Sequence, residues 1–436
     1  TILPHALKAA IGFISGILIA RTLGPTDLGK LTLIVSVNSF LFSITDLGIS
    51  QSVMKYASRA LAYKEEANYY SIIRWSLRMR IFIMTFIAFF TYFIAPIVSE
   101  KIWSQKDITP LIRLNLINLF FMILNTIPVL YFQTMKKFKT SAIISSIGSI
   151  LSILLILFLY FLKLLTVKNM IIGGLVMSFF NLTVIYTYVI PKATFFNKQS
   201  FYEMIKSKFK NFWLLPQLLG IEEQNGDDNL KSFVIFSSIS ASIVAIGTQA
   251  DVWLLGAFMP KEQVGIYSIA QRLTLPFGII IGAMSTVLFQ RVSSLKTFEE
   301  IKTALKKAMK LGGIVSVFYI SYAVIIPMLA PYFFGNAYRE SVLLAHILCF
   351  RWVICSFSMI IYIFGLNIGL IKVYSFLTPI FIFIGIGLLI LIVPKFGALG
   401  LSIFSLYSEI QWLSILILLL FFRLKKYKNR VENYEN

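Results

Sequence analysis

The chain is poor in the residues that brace or operate most water-soluble proteins. Its two cysteines, Cys349 and Cys355, lie in one apolar run, so neither a disulfide framework nor a thiolate metal site is expected. Histidines number two and acidic side chains 19, and no complete Gly-x-x-x-x-Gly-Lys-Ser/Thr loop is present to cradle a nucleotide phosphate, since the one stretch with that spacing, Gly24 to Lys30, is followed by Leu31. Charged residues occupy 14% of the 436 positions, whereas 58% are hydrophobic. The mean hydropathy is +0.82, far above that of soluble domains, which are about half apolar. Apolar residues fall into runs of about 20, the length a helix rising about 1.5 Å per residue needs to cross a hydrocarbon layer of about 30 Å. Lipid is therefore the expected solvent.

The pattern predicts an all-α polytopic membrane protein of about twelve transmembrane helices. In the first half the spans are Ile2 to Leu23, Leu28 to Leu47, Ile81 to Val98, Leu111 to Phe132, Ser141 to Leu162 and Met170 to Ile190. In the second they are Phe233 to Met259, Val264 to Phe289, Leu311 to Phe334, Val342 to Leu366, Val373 to Val393 and Ala398 to Phe422. This divides the chain into a six-helix lobe at 1–191, an amphipathic linker at 192–230, a second six-helix lobe at 231–422 and a basic tail at 423–436. Pro4, His5 and Lys8 stand in the opening run that starts at Thr1, which suggests that a few residues of the first helix precede it. No cleavable signal peptide is recognisable.

The net charge of +21 comes from 40 Lys and Arg, set in short clusters between apolar runs. No soluble segment is large enough to form a nucleic-acid face, so no nucleic-acid partner is expected. The clusters read as topology signals. Connections after the even-numbered helices, with the tail, hold 27 of the basic residues, and the opposite side holds 10. The richer side is cytoplasmic by the positive-inside rule, which places both termini inside. Phe201, Ile205, Phe209 and Phe212, beside Lys206 and Lys210, form an amphipathic face suited to a headgroup layer, and Ile301, Leu305 and Ala308 with Lys302, Lys306 and Lys307 form a shorter one. The acidic run EEQNGDDN, Glu222 to Asn229, reads as a solvated loop.

The halves echo each other at an offset of about 235 residues. Gly24-Pro25-Thr26-Asp27-Leu28-Gly29 opens helix 2, and Met259-Pro260-Lys261-Glu262-Gln263-Val264-Gly265 opens helix 8, each a proline, an acid and a glycine at a hairpin. Because six is even, the two lobes would enter the membrane from the same side, as parallel repeats around a central cavity.

The stretch Leu18-Ile19-Ala20-Arg21-Thr22-Leu23-Gly24-Pro25-Thr26-Asp27-Leu28-Gly29, followed by Thr45-Asp46-Leu47-Gly48-Ile49-Ser50-Gln51, resembles the amino-terminal signature of the polysaccharide-exporter flippases, the O-antigen type within the multidrug/oligosaccharidyl-lipid/polysaccharide exporter superfamily. The stretches Thr248 to Gly256 and Val264 to Leu273 are similar to the same family's helix 7 to 8 region. The resemblance implies flipping of undecaprenyl-diphosphate-linked oligosaccharide from the cytoplasmic to the periplasmic leaflet of a bacterial inner membrane. It implies no cofactor, and as partners the lipid-linked substrate, membrane lipids and a polysaccharide polymerase.

An ionisable group at mid-membrane costs about 2.5–3.5 kcal/mol on insertion scales, so such groups face protein or a watery cavity. Asp46, Asp251, Arg272, Arg351 and Glu409 are the candidates. Asp46, near a helix end, suits capping or snorkelling. Asp251 and Arg272 flank the Pro260 hairpin and suggest an ion pair, either structural or opening during transport. Asp251 and Glu409 are the titratable candidates for coupling. A diphosphate is best held by forked guanidinium groups, so Arg21, Arg272 and Arg351 are expected to bind substrate, with Arg351 free of any acid on its own helix. Arg21 equally suits an interface marker. Asn115, Asn118 and Asn125 share one helical face and suit either sugar hydroxyls or interhelical hydrogen bonds. His346 suits packing.

No catalytic constellation or metal set stands in a sizeable water-facing loop, which disfavours a glycosyltransferase or polymerase. A cation-coupled multidrug exporter of the same superfamily is the nearer alternative.

Overall fold

The computed structural model describes residues 2–46, 49–135, 137–184, 230–292, 298–325 and 327–435. Among these no strand occurs. The amphipathic linker and the acidic run lie outside the described residues.

The helices are α1 (Ile2–Asp46), α2 (Ile49–Ala62), α3 (Glu66–Pro96, continued by a π turn over Ile97–Ile102), α4 (Ile108–Thr134), α5 (Phe138–Phe161), α6 (Val167–Val184), α7 (Leu230–Phe258), α8 (Lys261–Leu273), α9 (Leu275–Val292), α10 (Phe298–Ile325), the short α11 (Ala330–Phe334), α12 (Ser341–Asn367) and α13 (Ile371–Glu435). Eight described helices are long and apolar enough to cross a membrane, and the bent pair α8 and α9 makes a ninth. α1 and α13 are each broken by one glycine, Gly24 at φ 72° and Gly397 at φ 55°, so each supplies two passes. With the apolar part of α7, Ser242–Phe258, the described residues carry the twelve apolar passes expected. Only glycine adopts positive φ cheaply, and Pro25 restarts the helix at the position where its missing N–H costs least.

Helix 8 was expected to be one span from Val264 to Phe289, but α8 and α9 meet at 44°. Pro276 explains the bend, because its ring crowds the preceding turn and its nitrogen offers no proton. The carbonyl of Leu273 freed there accepts the Tyr322 hydroxyl at 2.9 Å, and that of Phe277 accepts Tyr319 at 3.0 Å.

Lipid is written on the outer faces. The span Lys139–Phe161 has a mean hydropathy of 2.6 with none of that window buried, and Phe86, Phe89, Phe90 and Phe93 of α3 are all exposed. An open apolar surface on this scale needs hydrocarbon around it.

By contacts the chain forms two units, Thr1–Ser15 with Ile34–Gln249, and Gly16–Leu33 with Ala250–Asn436. In the first, Ile49, Val53, Ala57 and Ala60 of the amphipathic α2 pack on Tyr69, Ile73 and Leu77 of α3. In the second, Ile301 and Ala308 at the start of α10 are buried against Val292, Ile360 and Phe364, with Lys302, Lys306 and Lys307 exposed. That amphipathic segment therefore covers protein core, where a headgroup layer was expected to cover it.

Candidate functional site

The second unit gathers four polar side chains from four helices. Tyr267 of α8, almost fully buried, donates its hydroxyl to Asp251 Oδ2 of α7 at 3.3 Å. Arg351 Nε of α12 lies 3.8 Å from Glu409 Oε2 of α13. The Arg351 guanidinium also stands in the field of the Asp251 carboxylate. Were both carboxylates ionised, they would exceed the one guanidinium by a charge, a costly state in an apolar unit unless a proton or cation joins it.

The expected ion pair of Asp251 with Arg272 does not form. Asp251 and Tyr267 each lie eight residues from Met259 along their helices, so these two share a depth, whereas Arg272 sits five residues, about 7 Å, farther along. Arg272 instead lies against α1, where a side-chain carbon on Gly16 would strike its guanidinium. Arg351 has no acid on its own helix, but Glu409, 58 residues on and on another helix, closes on it. Arg272 has no described carboxylate partner.

Arg21 is occupied too. Its Nε donates to the carbonyl of Phe333 at 2.7 Å, and a terminal nitrogen donates to that of Tyr332, satisfying carbonyls that α11 leaves open at its end. Tyr338 fastens the same region by donating to the Ala20 carbonyl at 2.9 Å. His346 is a satisfied ring, its Nδ1 bonded to the Val342 carbonyl at 2.7 Å. Lys261 of the hairpin motif is buried and donates to the Gly256 carbonyl at 2.5 Å, closing the end of α7.

In the first unit the asparagines of α4 form a chain with α6. Ser178 donates to Asn118 Oδ1 at 2.7 Å, Asn118 Nδ2 donates to Asn115 Oδ1 at 3.1 Å, and Asn125 Nδ2 donates to the Ser178 carbonyl at 3.0 Å. Asp46 is not a snorkelling group: it takes an ion pair from Arg80, whose side chain is 2% exposed, and Ser50 bridges the two. Arg80 was missed because it ends the basic run Arg74, Arg78, Arg80 and was counted as a topology signal. The unpaired Asp46 was the available clue that one of them turns inward. Tyr267 was missed because an uncharged hydroxyl carries no hydropathy signal.

Residues 1–215 match the model of the family described as polysaccharide biosynthesis protein. No curated protein sequence matches the chain. Among solved structures, an inward-facing multidrug resistance MATE family transporter of the MOP superfamily aligns at TM-score 0.70 and 14% identity, over 97% of this chain and 96% of that one. The lipid II flippase MurJ in an inward closed conformation aligns at 0.70 and 16%, over 98% and 88%. A MOP superfamily transporter from Pyrococcus furiosus, described as having a binding pocket of reverse polarity, aligns at 0.65 and 14%, over 98% and 94%. The chain thus has the fold shared by these transporters and flippases. The segment that matches the polysaccharide biosynthesis family model, residues 1–215, contains the stretches Leu18 to Gly29 and Thr45 to Gln51 on which the resemblance rests.

Proposed function

We propose that the chain flips undecaprenyl-diphosphate-linked oligosaccharide from the cytoplasmic to the periplasmic leaflet of a bacterial inner membrane by alternating access, coupled to a proton or other cation. The observation that carries the reading is the Asp251, Tyr267, Arg351 and Glu409 cluster, two carboxylates beside one guanidinium in an apolar unit. Protonation of Glu409 would release Arg351 from its pair, and a released guanidinium can fork onto diphosphate oxygens. Arg272 is the standing anchor for that diphosphate, since no described carboxylate competes for it. Residues 1–191 and 231–422 act as the duplicated halves, with both termini cytoplasmic, and the synthesis of surface polysaccharide, including a polymerase, consumes the product. The family match supports the substrate class.

Depletion of the protein is the direct test. Accumulation of a polyprenyl-diphosphate-linked oligosaccharide in the inner membrane is expected. Unchanged lipid intermediates with increased sensitivity to cationic drugs would favour the multidrug-exporter reading, which the excess of acids at the cluster also suits.

A further inference from the structure

Between α4, α5 and α6 of the first unit, closed at one end by the start of α2, lies a cavity of about 960 Å³, within the size of small-molecule sites, roughly 300–1,000 Å³. Among the described residues no charged side chain lines it. Its polar wall consists of hydroxyls and amides, among them Asn125, Gln133, Ser152, Ser178 and Asn181, with Phe42 offering an apolar face.

The hydrogen bonds decide which ligand chemistry fits. Ser152 gives its proton to the Gly148 carbonyl at 2.8 Å and Thr126 to that of Ile123 at 2.7 Å. Ser178 gives its own to Asn118. A hydroxyl that has spent its only proton can still accept, through its remaining lone pair. Asn125 likewise commits Nδ2 to the Ser178 carbonyl, while its Oδ1 is buried and has no partner. A buried acceptor left unpaired forfeits its hydration without replacement, so it calls for a donor. The wall therefore holds several acceptors with committed protons and one unsatisfied acceptor, beside the amides of Gln133 and Asn181, which can donate as well as accept.

We propose that this cavity is a glycan-binding site that selects uncharged sugars through hydroxyl donors of the ligand, with Asn125 Oδ1 as its central acceptor. A sugar ring supplies many O–H donors and an apolar face. A diphosphate or a uronate carboxylate would meet several committed acceptors and, among the described residues, no counter-charge. Specificity for the glycan thus resides in the first unit, apart from the charged cluster of the second. The proposal rests on the flippase reading for the lipid that carries the glycan, and on the cavity alone for the sugar chemistry.

Gly148 offers an independent handle from α5, since a side-chain carbon there would stand 3.0 Å from Asn181 Oδ1 and project into the cavity. Binding to the purified full chain in nanodiscs is measured for four lipids: bare polyprenyl diphosphate, the same lipid with a neutral disaccharide, the same with a disaccharide ending in a uronate, and the neutral disaccharide on an uncharged polyprenyl lipid. The neutral disaccharide is expected to tighten binding at least tenfold on either lipid and the uronate not to. Asn125→Leu and Gly148→Val are each expected to remove that gain while binding of bare polyprenyl diphosphate stays. Where Asn125→Leu fails to fold, Gly148→Val and the milder Ser152→Ala carry the test. A gain that survives in the folded variants, or a uronate that binds equally well, overturns the proposal. Bare polyprenyl diphosphate that fails to bind, beside an intact sugar gain on the uncharged lipid, overturns the diphosphate reading of the previous section and supports this one.

Discussion

Gly29 and Gly265 exchange one contact in both directions within the second unit. A side-chain carbon on Gly29 would strike the Lys261 carbonyl, and one on Gly265 would strike the Pro25 carbonyl, each partner lying four residues before the other glycine. Pro25 to Gly29 and Lys261 to Gly265 are thus equivalent segments 236 positions apart, and a spacing of four puts both contact residues on one helix face. The internal repeat takes physical form here as a backbone-on-backbone crossing that only glycine permits.

Gly29→Ala and Gly265→Ala should therefore each destabilise the protein by about 1–3 kcal/mol, the cost of overpacking where backbone must yield. Gly313→Ala, a helical site where an added carbon meets nothing within 4 Å, should be neutral or slightly stabilising. Thermal unfolding in nanodiscs separates the three. Equal melting of all three would remove the crossing from any role in stability.

The Asp46 and Arg80 pair makes a second prediction. Removing Asp46, itself 31% exposed, leaves the buried Arg80 charge uncompensated, at a cost below the ~3–5 kcal/mol of breaking a fully buried pair. Asp46→Asn should accordingly lower the yield of monodisperse protein. Arg80→Lys should recover part of it, since the ammonium keeps the charge and loses the fork that reaches Ser50 as well. Fluorescence-detected size exclusion provides the readout.

Charge balance in the second unit governs a third. Glu409→Gln keeps the shape but cannot take up a proton, so transport in vesicles should lose its response to an imposed pH gradient while insertion persists. Arg351→Ala leaves two carboxylates without their cation and should reduce folded protein, and Glu409→Gln added to it should restore part of the yield. Retention of the full pH-gradient response by Glu409→Gln would exclude it from coupling.

Arg272 carries the fourth. A charge-assisted hydrogen bond contributes about 1.5–3 kcal/mol, so Arg272→Ala should weaken binding of bare polyprenyl diphosphate roughly 10- to 100-fold, with Lys intermediate. Exchanging Asp251 with Arg272 should not restore binding, because the two do not pair. Rescue by that exchange would reinstate an Asp251 and Arg272 pair in the working protein.

The amino-acid sequence by itself determined the solvent, the twelve apolar passes and the breaks at Gly24-Pro25 and near Gly397. Those properties are local: hydropathy over about 20 residues, and the turn chemistry of one glycine and one proline. It also placed Asp251, Arg351 and Glu409 at depth, since charge in an apolar run is visible residue by residue. The tertiary structure alone decided which partners they take. Pairing depends on how each helix is rotated about its axis and which helices are neighbours, and packing sets both. Hence Asp251 meets Tyr267 and not Arg272, Arg351 meets Glu409 across 58 residues, and Arg80 turns inward to Asp46 although its basic neighbours looked alike. The cavity beside Asn125 was equally out of reach, because Ser152, Ser178 and Asn181 acquire a common function only when α4, α5 and α6 stand together.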